Sequence, residues 1–295
     1  MTARPILFAL PGHEAAAERL IAHEAHDAGR LAVDRFPEGE SRVRFLTPVE
    51  GRRIDLYCSL ARPEPQLAGL LLAAGAARDQ GAAHVRLVTP YLPYMRQDKA
   101  FAPGEGVSAM IFARLLSASF DALVTVDPHL HRIAALSEIF TIPARAVMAA
   151  PLIAQWLRAH VAKPLIVGPD EESRQWAAEV ARLAGAPLLV LTKERQGLRD
   201  VRVSGVAPGE AEGLTPVVVD DIAGTGGTLL AASAALRAAG LPAPLAVVVH
   251  AFLDEAAMGP VGAAFEALVS TDSVAHPSNR IQLAPLLAEA LRDEA

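Results

Sequence analysis

Two adjacent carboxylates, Asp220 and Asp221, close a short apolar run, Val217 to Val219. Gly224, Thr225, Gly226, Gly227 and Thr228 follow, and then an alanine-rich apolar stretch patterned as a helix. A strand, a turn rich in glycine and hydroxyls, and a helix N-terminus together make an anion site. The backbone N–H groups and the helix dipole point at the ligand, and glycine lets it come close. Paired carboxylates beside such a turn suit sugar hydroxyls or a hard cation such as Mg²⁺. The spacing therefore predicts a site for a phosphorylated sugar, with a metal. A dinucleotide loop fits less well, because Gly224-x-Gly226-Gly227 lacks the last glycine of G-x-G-x-x-G and two acids would repel a pyrophosphate. A Walker loop needs a lysine that this turn does not have. A plain strand–helix turn with a threonine cap would require neither acid.

Other chemically capable groups also cluster after short β-branched runs. Arg96, Gln97, Asp98 and Lys99 follow Val85–Thr89. Arginine offers phosphate a two-pronged fork and lysine a point charge. Asp127, His129 and His131 follow Leu123–Val126, and could hold a metal or move protons. One histidine of that pair is expected to matter, and a structural role is an even alternative. Asp170, Glu171 and Glu172 follow Leu165–Val167, where acids also suit the start of a helix. Lys193 and Arg195 follow Leu188–Leu191 on a glycine-bearing segment that suits a lid over transferring phosphates. Phe36, with Glu38 and Glu40, could stack on a base and accept from its amino group. Taken alone, a hairpin turn on Pro37 and Gly39 is the plainer account.

Positioning these groups requires an α/β framework. Short β-branched runs alternate with longer alanine/leucine runs, the signature of a mainly parallel sheet flanked by helices. Strands are predicted at Ile6–Leu10, Arg42–Phe45, Ile54–Cys58, Val85–Thr89 and Leu123–Val126. A second set is predicted at Leu165–Val167, Leu188–Leu191, Val217–Val219, Ala246–Val249 and Ala267–Ser270. Helices are predicted at His13–Ala28, Gln66–Gln80, Val107–Phe120, Pro151–His160, Glu171–Leu183, Thr228–Ala239 and Ala284–Arg292. The halves resemble each other at strand ends, which predicts two similar domains, 1–146 and 147–295, with the last helix free to pack on the first. In such sheets ligands gather at the carboxyl ends of strands, where every cluster above lies.

The composition narrows the class. Over 295 residues the hydrophobic fraction is 52%, ample for two cores, and one cysteine excludes an internal disulfide. The longest apolar runs fall short of the roughly 20 residues of a membrane span. A net charge of −6 argues against a general nucleic-acid binder. The expectation is a soluble, cytoplasmic protein.

Taken together and in order, these segments resemble the ribose-phosphate pyrophosphokinase, or phosphoribosyl-pyrophosphate synthetase, family. FPEGE resembles its adenine-contacting loop and PYLPYMRQDK its PYxxYxRQDK segment. GEGVSA, TVDPH, VGPD and TKER resemble the elements that follow, and VVVDDIAGTGGTL resembles the phosphoribosyl-pyrophosphate motif. The likeness runs from about Phe36 to the end of the chain. It implies two type I phosphoribosyltransferase-like domains, ATP and ribose 5-phosphate as substrates, and Mg²⁺ as cofactor. By position it places Arg96, Gln97 and Asp98 at ATP, with Phe36 and Glu38 at the adenine from a neighbouring subunit of a homo-oligomer. His129 and Asp170 would lie near the metal. Asp220 and Asp221 would hold the ribose hydroxyls, and Gly224, Thr225, Gly226, Gly227 and Thr228 the 5-phosphate. Lys193, Arg195 and His129 would be catalytic. Two departures stand out: Gly224 replaces a common acid, and Glu171 and Glu172 replace glycines, where added acids would repel a diphosphate. A phosphoribosyltransferase, or a nucleotide-sensing homologue without catalysis, would use the same loop.

Overall fold

The computed structural model describes residues 4–23, 26–193, 201–204 and 211–292. The chain divides after Val147 and after Leu283 into two compact units; the segment from Ala284 onward belongs with the first.

The first unit carries β1 (Ile6–Ala9), α1 (Glu14–Ile21), β2 (Asp27–Ala28), β3 (Leu31–Arg35), β4 (Ser41–Phe45) and β5 (Arg53–Tyr57). It continues through α2 (Pro63–Asp79), β6 (His84–Thr89), α3 (Ser108–Ser119), β7 (Ala122–Val126) and β8 (Ala144–Val147). Its six-stranded sheet runs β2-β1-β5-β6-β7-β8, with every pairing parallel. β3 and β4 form a separate antiparallel ribbon. The second unit carries α4 (Ala150–His160), β9 (Pro164–Gly168), α5 (Arg174–Ala184), β10 (Leu188–Lys193), β11 (Val201–Ser204) and β12 (Thr215–Ala223). It ends with α6 (Gly227–Ala238), β13 (Leu245–Ala251), α7 (Glu255–Ala264), β14 (Leu268–Thr271) and β15 (Asn279–Ile281). Its sheet runs β11-β10-β9-β12-β13-β14-β15, and only the β10–β11 pairing is antiparallel. The last helix, α8 (Ala284–Arg292), packs on α1, β7 and β8.

Continuous apolar runs make the central strands, because helices cover both faces of a parallel sheet. Val217, Val218 and Val219 are fully buried, as are Ile54, Leu56, Val85 and Leu87. Helix α2 buries Leu70, Ala73, Ala74 and Ala77, a stripe at helical spacing. One ionic group interrupts the first core. Asp55 on β5 accepts from Arg86 Nε at 2.8 Å and Nη2 at 2.7 Å, and from His26, with all three residues buried.

Several expectations need correction. The helix predicted over His13–Ala28 stops at Ile21, and Asp27–Ala28 is a strand instead. The amides of Asp27 and Gly29 donate to the carbonyls of Pro5 and Leu7, adding an edge strand to β1. Gly29 permits this, since a Cβ there would lie 2.5 Å from the Phe8 ring. β3, β8, β11, β15 and α7 were not predicted. In α7 the helical pattern is broken by Gly259, Pro260 and Gly262; it starts where Asp254 accepts the Ala257 amide at 2.9 Å. The predicted strand at Val217–Val219 extends through both acids to Ala223, paired with β13 from Val217 to Asp220 and again at Ile222 and Ala223.

Candidate active site

In the first unit β6 and β7 are neighbours, with Thr89 opposite Thr125, so the segments leaving their carboxyl ends begin side by side. Thr89 Oγ1 donates to the Tyr91 carbonyl at 2.8 Å and turns the chain off β6. Tyr94 takes a φ of +69°, packs its ring on Phe112 at 4.8 Å and donates its hydroxyl to Glu64 at 3.0 Å. Burial and Glu64 both push the Tyr94 hydroxyl above its ordinary range, so it stays a donor. Met95 is buried and Arg96 is exposed beyond it. Gln97 accepts from the Ser108 hydroxyl, and its carbonyl accepts from the Ala109 amide, which ties the loop to the start of α3. The Asp98 carboxylate is only 2% exposed and takes the Arg132 amide at 3.1 Å and its guanidinium at 2.9 Å. Burial raises the Asp98 pKa, but those Arg132 contacts outweigh it and hold the group below its usual range.

Arg132 belongs to the segment that leaves β7, so this bond joins the Arg96–Lys99 and Asp127–His131 clusters. Asp127 has a φ of +36°, a conformation that Asp tolerates better than most side chains, and its amide donates to the Val147 carbonyl at 2.9 Å. Past this bend His129 is half-buried and His131 exposed, with ring centroids 6.5 Å apart. Phe36 and Glu38 sit on the exposed tip of the β3–β4 ribbon, the hairpin that Pro37 and Gly39 suggested. Arg42 lies 5.7 Å over the Phe36 ring and pairs with Asp34 at 2.8 Å. The ribbon and the Tyr94 loop both meet the first turn of α2, where Arg35 donates to the Pro65 carbonyl and Tyr94 to Glu64. Among the described residues no hydrogen bond or ion pair joins Phe36 or Glu38 to Arg96, Gln97 or Asp98.

In the second unit three adjacent strands, β10, β9 and β12, end next to one another. Lys193 is the last residue of β10, opposite Val201, rather than part of a loop. Arg195 lies outside the described residues. β9 pairs with β12 only as far as Val218, whereas β12 continues to Ala223. Asp220 and Asp221 therefore stand on a strand whose β9 side has fallen away, with Asp170 in the segment leaving β9. The Asp221 amide donates to Asp220 Oδ1 at 3.0 Å. Burial first, then the charges of Asp221 and Asp170, push the Asp220 carboxyl well above its ordinary range. Asp170 accepts the Ser173 amide at 3.0 Å and so leads into α5. Glu171 is exposed and held by Arg174 at 2.8 Å, so its charge is already paired.

The turn Gly224–Thr228 runs directly into α6, whose N-cap is Gly226 with a φ of +78° and no side-chain cap. The first-turn amides thus lack a side-chain acceptor from their own cap, as an anion site requires. A Cβ on Gly226 would lie 2.8 Å from Val261 and 3.2 Å from Leu253, so packing as well as φ demands glycine. Thr225, Gly227 and Thr228 are exposed. Among the described residues no three His, Cys, Asp or Glu side chains form a ready-made metal cluster, and no helix is long and apolar enough to cross a membrane.

Sequence reasoning singled out the acids and the glycine turn because their signal is local. It missed Arg132, which carries no local pattern and meets Asp98 from 34 residues away.

Comparison with known proteins adds a family. A model described as the N-terminal domain of ribose phosphate pyrophosphokinase matches residues 5–119, and a phosphoribosyl transferase domain model matches residues 135–256. A ribose-phosphate pyrophosphokinase of Methanopyrus kandleri is 37% identical over 265 residues, covering 88% of this chain and 89% of that one. One from Methanothermobacter thermautotrophicus is 35% identical, covering 88% and 90%. The crystal structure of phosphoribosylpyrophosphate synthetase from Mycobacterium smegmatis superposes with a TM-score of 0.85 at 26% identity, covering 99% of this chain and 98% of that one.

Proposed function

The chain belongs to the ribose-phosphate pyrophosphokinase family, and from that premise we propose how its residues carry the reaction. The reaction transfers the diphosphoryl group of ATP to the 1-hydroxyl of ribose 5-phosphate, giving 5-phospho-α-D-ribose 1-diphosphate and AMP. The observation that carries the assignment is the reach of β12 beyond β9. It leaves Asp220 and Asp221 beyond the β9 pairing on β12, followed by the Gly224–Thr228 turn at the uncapped start of α6. The two acids take the ribose hydroxyls, and the turn amides with Thr225 and Thr228 take the 5-phosphate. Arg96 and Gln97 bind ATP, and Asp98, held by Arg132, fixes the loop that presents them. Phe36 and Glu38 serve the adenine, from a neighbouring copy in a homo-oligomer.

Attack forms a bond from the 1-oxygen to the β-phosphorus, breaks the bond from that phosphorus to the AMP oxygen and releases the 1-hydroxyl proton to solvent. Such a transfer needs alignment and charge neutralisation more than covalent help. Lys193 and Arg195 supply positive charge to the moving group. Mg²⁺ fits the acidic strand ends, because Asp220 already suffers from the charges of Asp221 and Asp170, a repulsion that a cation relieves. Asp170 is the side chain of the second unit assigned to hold it, and it would neutralise the phosphate oxygens. The charge of Glu171 is offset by Arg174, so the acids that replace the family's glycines add less repulsion than their number suggests.

The direct test is AMP formation from ATP, ribose 5-phosphate and Mg²⁺. No AMP with any pentose phosphate overturns the assignment. Replacing Lys193 and Arg195 together with alanine is expected to lower kcat by about 10²-fold or more while nucleotide still binds, read by single-turnover kinetics and titration calorimetry.

A further inference from the structure

A polar network, buried at Ser270 and Ser278 and half-buried at His276 and Asn279, covers the carboxyl ends of β13 and β14 in the second unit, and nothing in the reaction described above uses it. His276 is its hinge. Its Nδ1 faces the Ser278 hydroxyl at 2.6 Å and the Ser278 amide at 3.2 Å, while its Nε2 meets the Leu253 carbonyl at 3.1 Å. An amide can only donate, so Nδ1 accepts and the proton sits on Nε2, which donates to Leu253. Ser278 in turn bonds Ser270 at 2.7 Å, and the Asn279 side chain holds both the His276 amide, at 3.0 Å, and Ser270, at 2.9 Å. Ser270 and Ser278 are buried, so this fixed geometry is costly to break.

The other end of the network lies against the sugar-phosphate turn. The residue beside Leu253, Phe252, donates its amide to the Ala223 carbonyl at 2.7 Å, at the last residue of β12. The buried Leu253 side chain packs where a Gly226 Cβ would stand, 3.2 Å away. A shift of Leu253 therefore moves the wall against which the left-handed Gly226 is seated.

We propose that His276 is a positioning residue for the Gly224–Thr228 turn, setting ribose 5-phosphate affinity through Leu253. The inference rests on the reading of that turn as the 5-phosphate site. His276→Ala is expected to raise KM for ribose 5-phosphate about three- to tenfold, the worth of one lost hydrogen bond. KM for ATP should stay within about twofold, a smaller change than one lost hydrogen bond gives. His276→Gln, which can place an amide N–H near the original Nε2, should recover most of the loss, whereas His276→Phe should not. A general weakening of the fold would instead move both KM values and would not separate Gln from Phe. Unchanged KM for ribose 5-phosphate in His276→Ala, or equal behaviour of the Gln and Phe variants, overturns the inference. Gly226→Ala separates the two readings. If it too leaves that KM unchanged, the turn is not the 5-phosphate site; if it alone raises KM, only the role of His276 fails.

Discussion

Asp220 carries a conflict that function explains and stability does not. Its carboxyl is desolvated and faces Asp221 and Asp170, so its pKa is raised above the value it has in the unfolded chain. A raised acid pKa stabilises the fold fully below the unfolded value, and that contribution is lost as pH rises through the folded value. As pH rises through that raised value, Asp220 becomes a destabilising group in the ligand-free protein. Asp220→Asn should raise the melting temperature near neutrality, by about 2–4 °C for each kcal/mol of repulsion removed. The gain should close as pH falls below the ordinary carboxylate range, and Mg²⁺ should stabilise the native protein more than the variant. Thermal melts across pH, with and without Mg²⁺, check this; a variant that melts lower at neutral pH contradicts it. Activity should fall in the same variant. The residues of this site were legible because the acids, glycines and threonines are contiguous and their chemistry is local. The anchoring of Asp98 by Arg132 was not, since two segments meet there only once β6 and β7 lie side by side.

At the scale of elements, what matters is where strands stop. The β9 pairing ends at Val218 while β12 continues to Ala223, and that mismatch leaves Asp220 and Asp221 without a β9 partner. Composition marks the apolar part of a strand well and its polar end poorly, so the two acids looked like the end of β12 when the ladder to β13 continued past them. The same blindness hid β3, whose Leu31–Arg35 is five residues long without a clean alternation and gains its meaning from pairing with β4. Between β5 and β6, Asp55 and Arg86 are partners in register and form a fully buried ion pair with His26 nearby. Burial raises the Asp55 pKa, but the bonds from His26 and Arg86 outweigh it and the group is held low. Its stabilising contribution is thus present above the ordinary carboxylate range and lost as pH falls through the depressed value. Asp55→Asn leaves Arg86 without its counter-charge in the core and should cost about 3–5 kcal/mol of unfolding free energy. Urea titration measures that loss, and a change below 1 kcal/mol (about the worth of an exposed pair) would mean that the pair is not buried in solution. The variant should keep its KM values at low temperature, because Asp55 lies within the sheet and not at its carboxyl edge.

For the whole molecule, the exposed surface of the first unit carries more apolar area on its helices than a solvated face needs. α3 buries Ala109, Phe112, Ala113 and Leu116, yet it also leaves Met110, Ile111 and Leu115 exposed, at 36%, 51% and 37%. Leu72 on the neighbouring α2 is 49% exposed. A helix with apolar residues on two faces is patterned to be covered on both. The occupant consistent with the proposed reaction is a second copy of the chain, since Phe36 and Glu38 are assigned to a neighbour's adenine. A closed dimer meets that need with the same patch on both copies, and larger rings extend it. Sedimentation of the native protein should give at least a dimer. Ile111→Glu with Leu115→Glu places like charges across such a self-facing patch, and should shift the distribution to monomer while leaving the fold intact by circular dichroism. If Phe36 serves its neighbour, the dissociated variant should bind ATP more weakly at enzyme concentrations where the native protein is assembled. A monomeric native protein, or a variant that stays assembled, would place the oligomer contact elsewhere or remove it. Weakened ATP binding without dissociation would instead mean that α3 acts on the nucleotide loop within one chain, through the Gln97–Ser108 bond at its start.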